Sequence, residues 1–278
     1  MINPKISVVM SAFNAEKFIE TSIESIISQT YENFEFLIIN DGSSDKTLEI
    51  IEKFKKLDER IILINRKKRG LIASLNEGIS FSKGQYIARM DADDIAIPER
   101  LNVQLNYLIK NPSIDLVASN IIFFSNNKVT GISEFELFRT NKLKLYSNTI
   151  GLPHPTWMVR SNFYKKFNYN SKAVTVEDQD LLIRCHQSCK FSLLKNPLLF
   201  YRIHKKNNTY KYKLKQIYFL NLCRIRNTIH HRLFFYLPVI MIVFIVSCIF
   251  LILRVKNTNI KTDLNSKYQN LLNKLIKF

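Results

Sequence analysis

The first 110 residues alternate short apolar runs with longer segments of helical periodicity, and this alternation limits the folds that the chain can adopt. The apolar runs are too short for helices and are rich in Val and Ile, which is typical of buried strands. Helices are predicted after the first three runs and again from Pro98 to about Lys110. The pattern therefore predicts an α/β fold with a mostly parallel sheet flanked by helices. The four runs are Ile6–Met10, Phe34–Ile39, Arg60–Asn65 and Tyr86–Met90.

A second half is predicted from residue 116 to residue 205, where the alternation is less regular. Leu116–Phe124 and Pro197–His204 are predicted strands, and Glu177 opens a predicted helix that continues to about His186. The acidic residues at the start of that helix lie at the positive end of its dipole. The chain up to residue 205 is therefore divided into two halves, residues 1–115 and 116–205.

Three carboxylates follow the fourth apolar run within four residues: Asp91, Asp93 and Asp94. Side chains alternate along an extended chain, so Asp91 and Asp93 would share one face. Two like charges this close are unfavourable unless a cation or hydrogen-bond donors lie between them. Three solvated acids on a surface loop are the alternative. Their position at the C-terminal end of a strand, where α/β sheets bind ligands, favours a site for a metal and a diphosphate.

The net charge of +18 is concentrated in the C-terminal third of the chain. Residues 1–180 carry 23 Lys/Arg against 22 Asp/Glu, whereas residues 181–278 carry 18 against 1. Such asymmetry is typical of proteins that bind nucleic acid or an anionic membrane surface. The four cysteines have no metal-binding spacing, and reduced thiols are expected.

An uncharged apolar run, Leu233–Leu253, favours the membrane over nucleic acid. As a helix, its 21 residues at about 1.5 Å each would span roughly the 30 Å of a bilayer core. A buried helix of the globular domain is the alternative. The preceding residues are basic and interleaved with tyrosines and apolar residues, which predicts a helix on an anionic lipid surface. We therefore predict a basic amphipathic segment at 206–232, a transmembrane helix at 233–253 and a basic tail at 254–278, with no nucleic-acid partner.

Four motifs occur in order, each at a predicted strand–loop junction: Ser7–Asn14 with Glu16, Ile38–Ser43, Met90–Asp94, and Glu177–Leu181 with Arg184. On these motifs the chain, from residue 5 to about residue 204, resembles the family 2 glycosyltransferases, which have the GT-A fold, use nucleotide sugars and are typically inverting. The chain departs from the family at Ser11, where proline is usual. It also lacks the Gln-x-x-Arg-Trp motif of processive synthases, because Trp157 follows Pro155-Thr156. The resemblance therefore implies a non-processive enzyme.

The resemblance implies a role for each matched position. Asp93 would ligate a divalent metal, Mn²⁺ or Mg²⁺, and His204 would reach the metal or the diphosphate. Asp178 would be the catalytic base, with Glu177 orienting the acceptor, and His154 and Trp157 would belong to the acceptor site. Ordinary roles remain open for three residues: a solvated charge for Arg69, a structural role for His204 and core packing for Trp157. The nucleotide-sugar-binding residues would be Ala12, Phe13, Asn14, Glu16, Asp41, Arg69 and Asp91.

The implied reaction moves a sugar from a nucleotide sugar, a UDP-sugar in our interpretation, to a hydroxyl of a glycan or lipid-linked acceptor in cell-surface polysaccharide or lipooligosaccharide assembly. Residues 1–115 would bind the nucleotide sugar and residues 116–205 the acceptor. We expect the chain at the inner or plasma membrane, with its catalytic domain on the cytoplasmic side. The alternative is an inactive GT-A-fold module at the membrane that binds nucleotides or has a regulatory role. A nucleotidyltransferase is disfavoured, because Phe13-Asn14-Ala15-Glu16 replaces the Gly-rich basic phosphate loop that such an enzyme needs.

Overall fold

A seven-stranded mixed sheet forms the centre of the computed structural model, which describes residues 5–135, 151–204, 210–230, 234–252, 260–261 and 265–276. The strand order is β10-β6-β9-β4-β1-β2-β3, and five further strands belong to a second sheet. The strands of the large sheet are β1 (Ile6–Ala12), β2 (Phe34–Asp41), β3 (Ile61–Arg66), β4 (Tyr86–Asp91), β6 (Leu116–Ser119), β9 (Met158–Arg160) and β10 (Phe191–Leu194). The helices that connect or flank them are α1 (Ile19–Ile27), α2 (Thr47–Leu57), α3 (Leu71–Phe81), α4 (Arg100–Lys110), α5 (Ser161–Lys166) and α6 (Glu177–Cys185).

Parallel pairing dominates this sheet, as the alternation in the sequence predicts. β1 pairs in parallel with β2 and β4, β2 with β3, and β10 with β6, while β9 runs antiparallel between β4 and β6. Met10 lies opposite Met90 and Ser11 opposite Asp91, so β1 and β4 end together. The loops after these strands therefore meet at one edge of the sheet, where α/β proteins bind ligands.

Helices cover both faces of the large sheet, and its central strands are therefore apolar on both sides. Every residue of β2 is buried, as are all but one of β1. On one face, Val8 and Met10 belong to the same apolar cluster as Ile23 of α1, and on the other face Val9 belongs to the cluster of Leu75 in α3. Burying a side chain of this size contributes about 1.5–3 kcal/mol. The two apolar layers fix the strand register, and the register decides which residues reach the ligand edge.

The prediction of a transmembrane helix at 233–253 is wrong. The apolar run divides into a 3₁₀ turn (Phe234–Tyr236) and α8 (Leu237–Ile252), which follow α7 (Tyr210–His230). Pro238 lies in the first turn of α8, where proline is tolerated, and this helix begins there instead of continuing from the residues before it. Its 16 residues span about 24 Å, less than the roughly 30 Å of a bilayer core. Within the described ranges, none of the helices combines the length and the apolar character that crossing a bilayer requires.

A second sheet, of five strands, includes residues from the end of the chain. Its order is β12-β8-β7-β11-β5, with β5 (Ile95–Ala96), β7 (Ile122–Ser125), β8 (Lys128–Ser133), β11 (Leu199–Arg202) and β12 (Ile260–Lys261). α9 (Asn265–Ile276) buries Leu272 in the same apolar cluster as Phe124 and Phe200. The predicted basic tail thus contains a helix that packs on the folded chain, while residues 254–259, 262–264 and 277–278 of that tail lie outside the described residues.

Candidate active site

Hydrogen bonds join the loop after β1 to the loop after β2. The Asn14 Oδ1 atom accepts a hydrogen bond of 2.9 Å from the Ser44 N–H. The Glu16 carboxylate accepts one of 3.1 Å from the Lys46 N–H. Asn14 has a φ of 49°, a left-handed conformation that asparagine adopts more readily than most residues. Two of the predicted nucleotide-binding residues therefore fix the shape of this edge of the sheet.

Asp41, the last residue of β2, holds the loop between β3 and α3. It is buried, and its carboxylate accepts hydrogen bonds from the N–H groups of Arg69, at 2.7 Å, and Gly70, at 2.8 Å. The Arg66 guanidinium lies 2.5 Å from the same carboxylate and balances its charge. Gly70 has a φ of 92°, in the left-handed region that favours glycine. Asp41 thereby positions the loop that carries Arg69.

Exposed aromatic and basic side chains line the same edge. Phe13 is 41% exposed, and Lys68 Nζ lies 3.7 Å from the centre of its ring. The side chain of Arg69 is 63% exposed and lies 3.9 Å from Glu77. An exposed ring beside cations is suited to stacking a base and binding its phosphates. Ala12 is buried as the last residue of β1, and Lys68 is a residue that the sequence reasoning missed, although it belongs to the basic run at 66–69.

Asp91, Asp93 and Asp94 come together at the end of β4. One carboxylate oxygen from each lies within 4.8 Å of the others. Asp94 is buried; its Oδ1 accepts a hydrogen bond of 2.9 Å from the Arg202 N–H, and its Oδ2 has no hydrogen-bond partner among the described residues. Burial and the charges of Asp93 and Asp91 hold the pKa of Asp94 well above its usual range. A buried oxygen without a partner, among three carboxylates, fits a divalent cation.

His204 lies beside the carboxylate cluster. Its Nε2 atom is 2.7 Å from Oδ2 of Asp93. The Arg202 Nε–H donates a hydrogen bond of 2.8 Å to the Asp93 carbonyl oxygen. Both residues lie at the end of β11, so the second sheet supports the loop that follows β4. The structure therefore places His204 as an orienting partner of the predicted metal ligand.

Arg89 connects the carboxylate cluster to the rest of the site, and the sequence reasoning did not single it out. It precedes Asp91 by two residues on β4; its Nη1 donates to Asp91 Oδ2 at 2.7 Å, and its Nη2 contacts Oδ1. The side chain is buried, and a buried charge is tolerated when it is paired and hydrogen-bonded. The signal for this pair was a basic residue inside an apolar strand with an acid two positions away on the same face.

Glu177 and Asp178 open α6, and the charges of Arg89 and Asp91 act on Glu177. Burial and the charge of Asp178 raise the pKa of Glu177 to about 7, while the Arg89 charge lowers it and the Asp91 charge raises it further. Burial also raises the pKa of Asp178. The acids at 91–94 and those at 177–178 are far apart in sequence, yet they interact within one site. A carboxylate with a raised pKa is the stronger base.

A series of buried polar contacts leads from Glu177 into the interior. His154 Nδ1 lies 3.6 Å from Glu177 Oε1, and His154 Nε2 lies 2.6 Å from the Tyr169 hydroxyl. The Tyr169 hydroxyl in turn lies 2.9 Å from the Tyr164 hydroxyl. Burial lowers the pKa of His154 well below its usual range, and the ring is therefore neutral. His154, predicted to contact the acceptor, is placed as a buried neighbour of Glu177.

Trp157 is completely buried. Its Nε1–H donates a hydrogen bond of 3.1 Å to the Leu152 carbonyl oxygen, and its ring meets that of His154 edge-on, with 4.6 Å between the ring centres. The structure thus places this tryptophan in the core, next to a residue that contacts Glu177.

A cleft of about 820 Å³ lies along the exposed side of α3 and reaches Arg69, Glu177 and Tyr212. Tyr212 belongs to α7, the helix that the sequence predicts on a lipid surface. Burial and the charges of Glu177 and Asp178 raise the pKa of the Tyr212 hydroxyl. The first turn of α7 therefore lies beside the acid pair, and Tyr212 is a further residue that the sequence reasoning did not assign to the site.

Several glycosyltransferases are similar in sequence to this chain. Residues 7–167 match the family described as Glycosyl transferase family 2. The chain is 34% identical over 285 residues to an uncharacterized glycosyltransferase of Methanocaldococcus jannaschii, covering 96% of this chain and 98% of the relative. It is 31% identical over 207 residues to the O-antigen biosynthesis glycosyltransferase WbnJ of Escherichia coli, covering 73% of this chain and 81% of WbnJ.

Solved structures share the fold. TarS of S. aureus in complex with UDP matches with a TM-score of 0.60 at 19% identity, over 79% of this chain and 65% of the TarS chain. The mannosyltransferase PcManGT of Pyrobaculum calidifontis, in complex with GDP-Man and Mn²⁺, matches with a TM-score of 0.62 at 12% identity, over 99% of this chain and 86% of the other. At such identities the likeness concerns the fold.

The mixed sheet, with the aspartate cluster at its ligand edge, defines the fold as a GT-A-like α/β fold. More specifically, the chain belongs to family 2 of the glycosyltransferases and is a glycosyltransferase enzyme. The family, the α/β fold and the enzyme class predicted from the sequence are thereby confirmed. The roles of the individual site residues stay predictions.

Proposed function

We propose that this glycosyltransferase moves a hexosyl group from a UDP-sugar to a hydroxyl of a glycan or lipid-linked acceptor. The observation that carries the proposal is a series of contacts between the two acid groups. Asp91 pairs with Arg89, and the Arg89 N–H donates a hydrogen bond of 2.9 Å to the Trp157 carbonyl oxygen. The Trp157 ring meets that of His154, which lies 3.6 Å from Glu177. Structures of TarS with UDP and with UDP-GlcNAc, and of PcManGT with GDP-Man, support a nucleotide-sugar donor. The similarity to WbnJ supports a role in surface polysaccharide or lipooligosaccharide assembly.

The donor nucleotide lies along the loops after β1, β2 and β3 in this proposal. The exposed ring of Phe13 stacks on the base, and the cations of Lys68 and Arg69 face the phosphates. Asn14 and Glu16 keep the first two loops together, as their hydrogen bonds to Ser44 and Lys46 support. Ala12 and Asp41 support the floor of the pocket, and Asp91 contacts the ribose.

A divalent cation, Mn²⁺ or Mg²⁺, would be held by Asp93 and Asp94, with His204 orienting the Asp93 carboxylate. The unpaired, buried Oδ2 of Asp94 supports this assignment. Bound there, the cation would neutralise negative charge on the departing diphosphate. The Mn²⁺ in the PcManGT complex supports the same class of metal.

Asp178 acts as the general base. It removes the proton of the acceptor hydroxyl as the hydroxyl oxygen attacks the anomeric carbon, and the bond from that carbon to the diphosphate breaks. A single displacement inverts the configuration at the anomeric carbon. Glu177, whose pKa is raised to about 7, forms a hydrogen bond with the acceptor. His154 contacts the Glu177 carboxyl group from the buried side and holds it in place. Proton transfer of this kind contributes about 10²–10⁴-fold to the rate.

The enzyme acts, in this proposal, at the cytoplasmic side of the inner or plasma membrane. α7 exposes Lys211, Lys213 and Lys215, and a basic helix is attracted to anionic lipids. The adjoining α8 has an exposed apolar stripe, which suits the interface of a bilayer. The stripe consists of Met241, Ile242, Ile245, Val246 and Ile249.

Release of nucleoside diphosphate from a panel of nucleotide sugars in the presence of MnCl₂ tests the proposal. Asp178→Asn should keep UDP binding, measured by calorimetry, and lose transfer by at least about 100-fold, because the proton acceptor is removed. Glu49→Gln, which alters an exposed acid on α2, is the control and should keep the wild-type rate. Unchanged turnover in Asp178→Asn would remove Asp178 from the mechanism. Absence of release from every donor would favour the inactive nucleotide-binding module.

A further inference from the structure

We propose that the cleft beside α3 binds the terminal pyranose of the acceptor, and that Thr175 is a specificity-determining residue of this acceptor cleft. The inference rests on the proposed function, because it assigns the acceptor of the same reaction. The acceptor bound in this cleft would be a carbohydrate with a free hydroxyl, as opposed to an apolar chain.

The position of the acceptor cleft suits a second substrate. It reaches Arg69 on the donor side and Glu177 on the side of the acid pair. Tyr212 lies at the same end as Glu177, since the Glu177 and Asp178 charges act on its hydroxyl. A sugar in this space is therefore next to Arg69, which faces the donor phosphates in the proposed function, and next to Glu177, which precedes the base. The volume of about 820 Å³ is within the range of small-molecule sites, about 300–1,000 Å³.

The lining of the acceptor cleft combines apolar and hydroxyl-bearing side chains. Leu71, Phe81 and Val174 are exposed apolar residues on its two walls. Ser80 and Ser171 place polar side chains on the same walls. A pyranose has C–H faces and a rim of hydroxyls, and both kinds of surface find a match here. A prenyl or acyl chain would cover this polar lining without offering it a hydrogen bond, which is unfavourable.

Thr175 provides an independent observation. Its φ of 69° lies in the left-handed region, where a β-branched residue is strained. Its Oγ1 is buried and has no hydrogen-bond partner among the described residues, a condition that costs about 1–3 kcal/mol. Thr175 lines the acceptor cleft two residues before Glu177. An acceptor hydroxyl is the partner that this side chain lacks.

Ser80→Trp tests the location by filling the acceptor cleft. Ser80 is exposed, and its side-chain hydrogen bond, of 2.7 Å to the Glu77 carbonyl oxygen, lies within its own helix, so we expect the fold to tolerate the change. Lys83→Trp is the matched control, because Lys83 is exposed just beyond α3 and does not line the cleft. Release of UDP is measured with methyl and octyl pyranosides as acceptor probes and, separately, without acceptor. We expect Ser80→Trp to lower acceptor-dependent release at least about tenfold and leave donor hydrolysis within about twofold, and Lys83→Trp to change neither.

Thr175→Val and Thr175→Ser test the specificity residue. Valine keeps the shape of threonine and removes the hydroxyl, whereas serine keeps the hydroxyl. We expect Thr175→Val to raise the KM for the pyranoside probe about tenfold with kcat little changed, and Thr175→Ser to remain close to wild type. Equal KM values for threonine and valine would remove Thr175 from the acceptor site.

The remaining outcomes separate this inference from the proposed function. If 1-octanol competes as well as octyl pyranosides do, the cleft binds an apolar chain and the assignment fails. If Ser80→Trp lowers donor hydrolysis and transfer equally, the cleft belongs to the donor. Donor hydrolysis that persists in the wild type while no pyranoside stimulates release, or while Ser80→Trp has no effect, contradicts the acceptor cleft alone. Loss of all donor cleavage in the wild type contradicts the proposed function.

Discussion

Arg89 and Arg100 show how single residues fix the active-site edge. Both guanidinium groups are buried under an apolar sheet, where an unpaired charge is costly. Arg89 is paired with Asp91, and Arg100 donates a hydrogen bond of 2.6 Å to the Arg89 carbonyl oxygen and one of 3.1 Å to the Gln104 side chain. Each buried arginine is therefore tied to the strand that ends in the aspartate cluster. Replacing either would move the carboxylates as well as remove a charge.

The pKa of Glu177 gives a prediction for the pH dependence of transfer. Because this pKa is raised to about 7, Glu177 gains a proton as the pH falls below neutrality. Burial raises the pKa of the neighbouring Asp178 as well. A protonated Glu177 no longer accepts a hydrogen bond from the acceptor hydroxyl, so kcat/KM should fall as the pH decreases through about 7. Glu177→Gln should move this acidic limb to lower pH, because the amide carries no titrating charge beside Asp178.

The measurement is kcat/KM between about pH 5 and pH 9 with a fixed donor and pyranoside. Only the position of the acidic limb is compared, since Glu177→Gln also alters the contact with the acceptor. Glu52→Gln, on the exposed side of α2, should leave the limb in place. A limb that stays near neutrality in Glu177→Gln would assign the titration to another group.

Among the helices and strands, α7 contributes both to the active site and to an exposed basic surface. Tyr212 lies beside the acid pair, while Lys211 and Lys213 on either side of it are exposed. A helix with this arrangement would hold the acceptor cleft close to whatever surface its lysines contact. The sequence pattern predicted the basic surface, and the active-site contact of Tyr212 emerged from the packing of α7 against α6.

Neutralising the exposed lysines of α7 should weaken binding to anionic vesicles. The triple variant Lys211→Gln, Lys213→Gln and Lys215→Gln loses about 1 kcal/mol per lysine, or about 100-fold in total affinity for vesicles that contain phosphatidylserine. Co-sedimentation measures the change, and added salt should weaken the wild-type binding by screening. The matched control carries the same change at Lys53, Lys55 and Lys56 of α2. Equal binding by the two triple variants would exclude α7 as the lipid contact.

At the scale of the whole molecule, the ligand edge gathers residues from both halves of the chain. The first four strands deliver the proposed nucleotide-binding loops and the aspartate cluster, α6 delivers the acid pair, and β11 and the residues that follow it deliver Arg202 and His204. A donor bound with its metal would contact several of these segments at once. Binding should therefore stabilise the folded state as a unit.

UDP and MnCl₂ together should raise the melting temperature more than the sum of their separate effects. At a UDP concentration of about 100 times its Kd, ligand binding stabilises the folded state by about 2.7 kcal/mol, which corresponds to about 5 °C in a domain of this size. Asp93→Asn should remove the joint increment, because it removes a metal ligand, and keep the melting temperature of the protein without ligand close to wild type. Thermal-shift measurements check this result. An increment that survives in Asp93→Asn would mean that the metal is not held at this carboxylate.

Sequence reasoning was sufficient for features that depend on neighbours along the chain. The length and apolar content of each run predicted the strands, and the alternation predicted the parallel sheet, because the period of a strand or helix is a local property. Reliance on local composition also led to the wrong prediction of a transmembrane helix at 233–253. Hydropathy counts apolar residues, but the place where α8 begins, near Pro238, depends on backbone geometry that hydropathy does not include.

The sequence by itself determined the family, the first four strands of the large sheet and the positions of the acids at their ends. Tertiary structure decided that His204 lies beside Asp93, that His154 lies beside Glu177, and that Tyr212 shares a cleft with Glu177. The physical reason is the range of the interactions. Strand and turn preferences act over a few residues, whereas the contacts of His204 with Asp93 and of His154 with Glu177 join residues 111 and 23 positions apart and exist only once the helices have packed on the sheet.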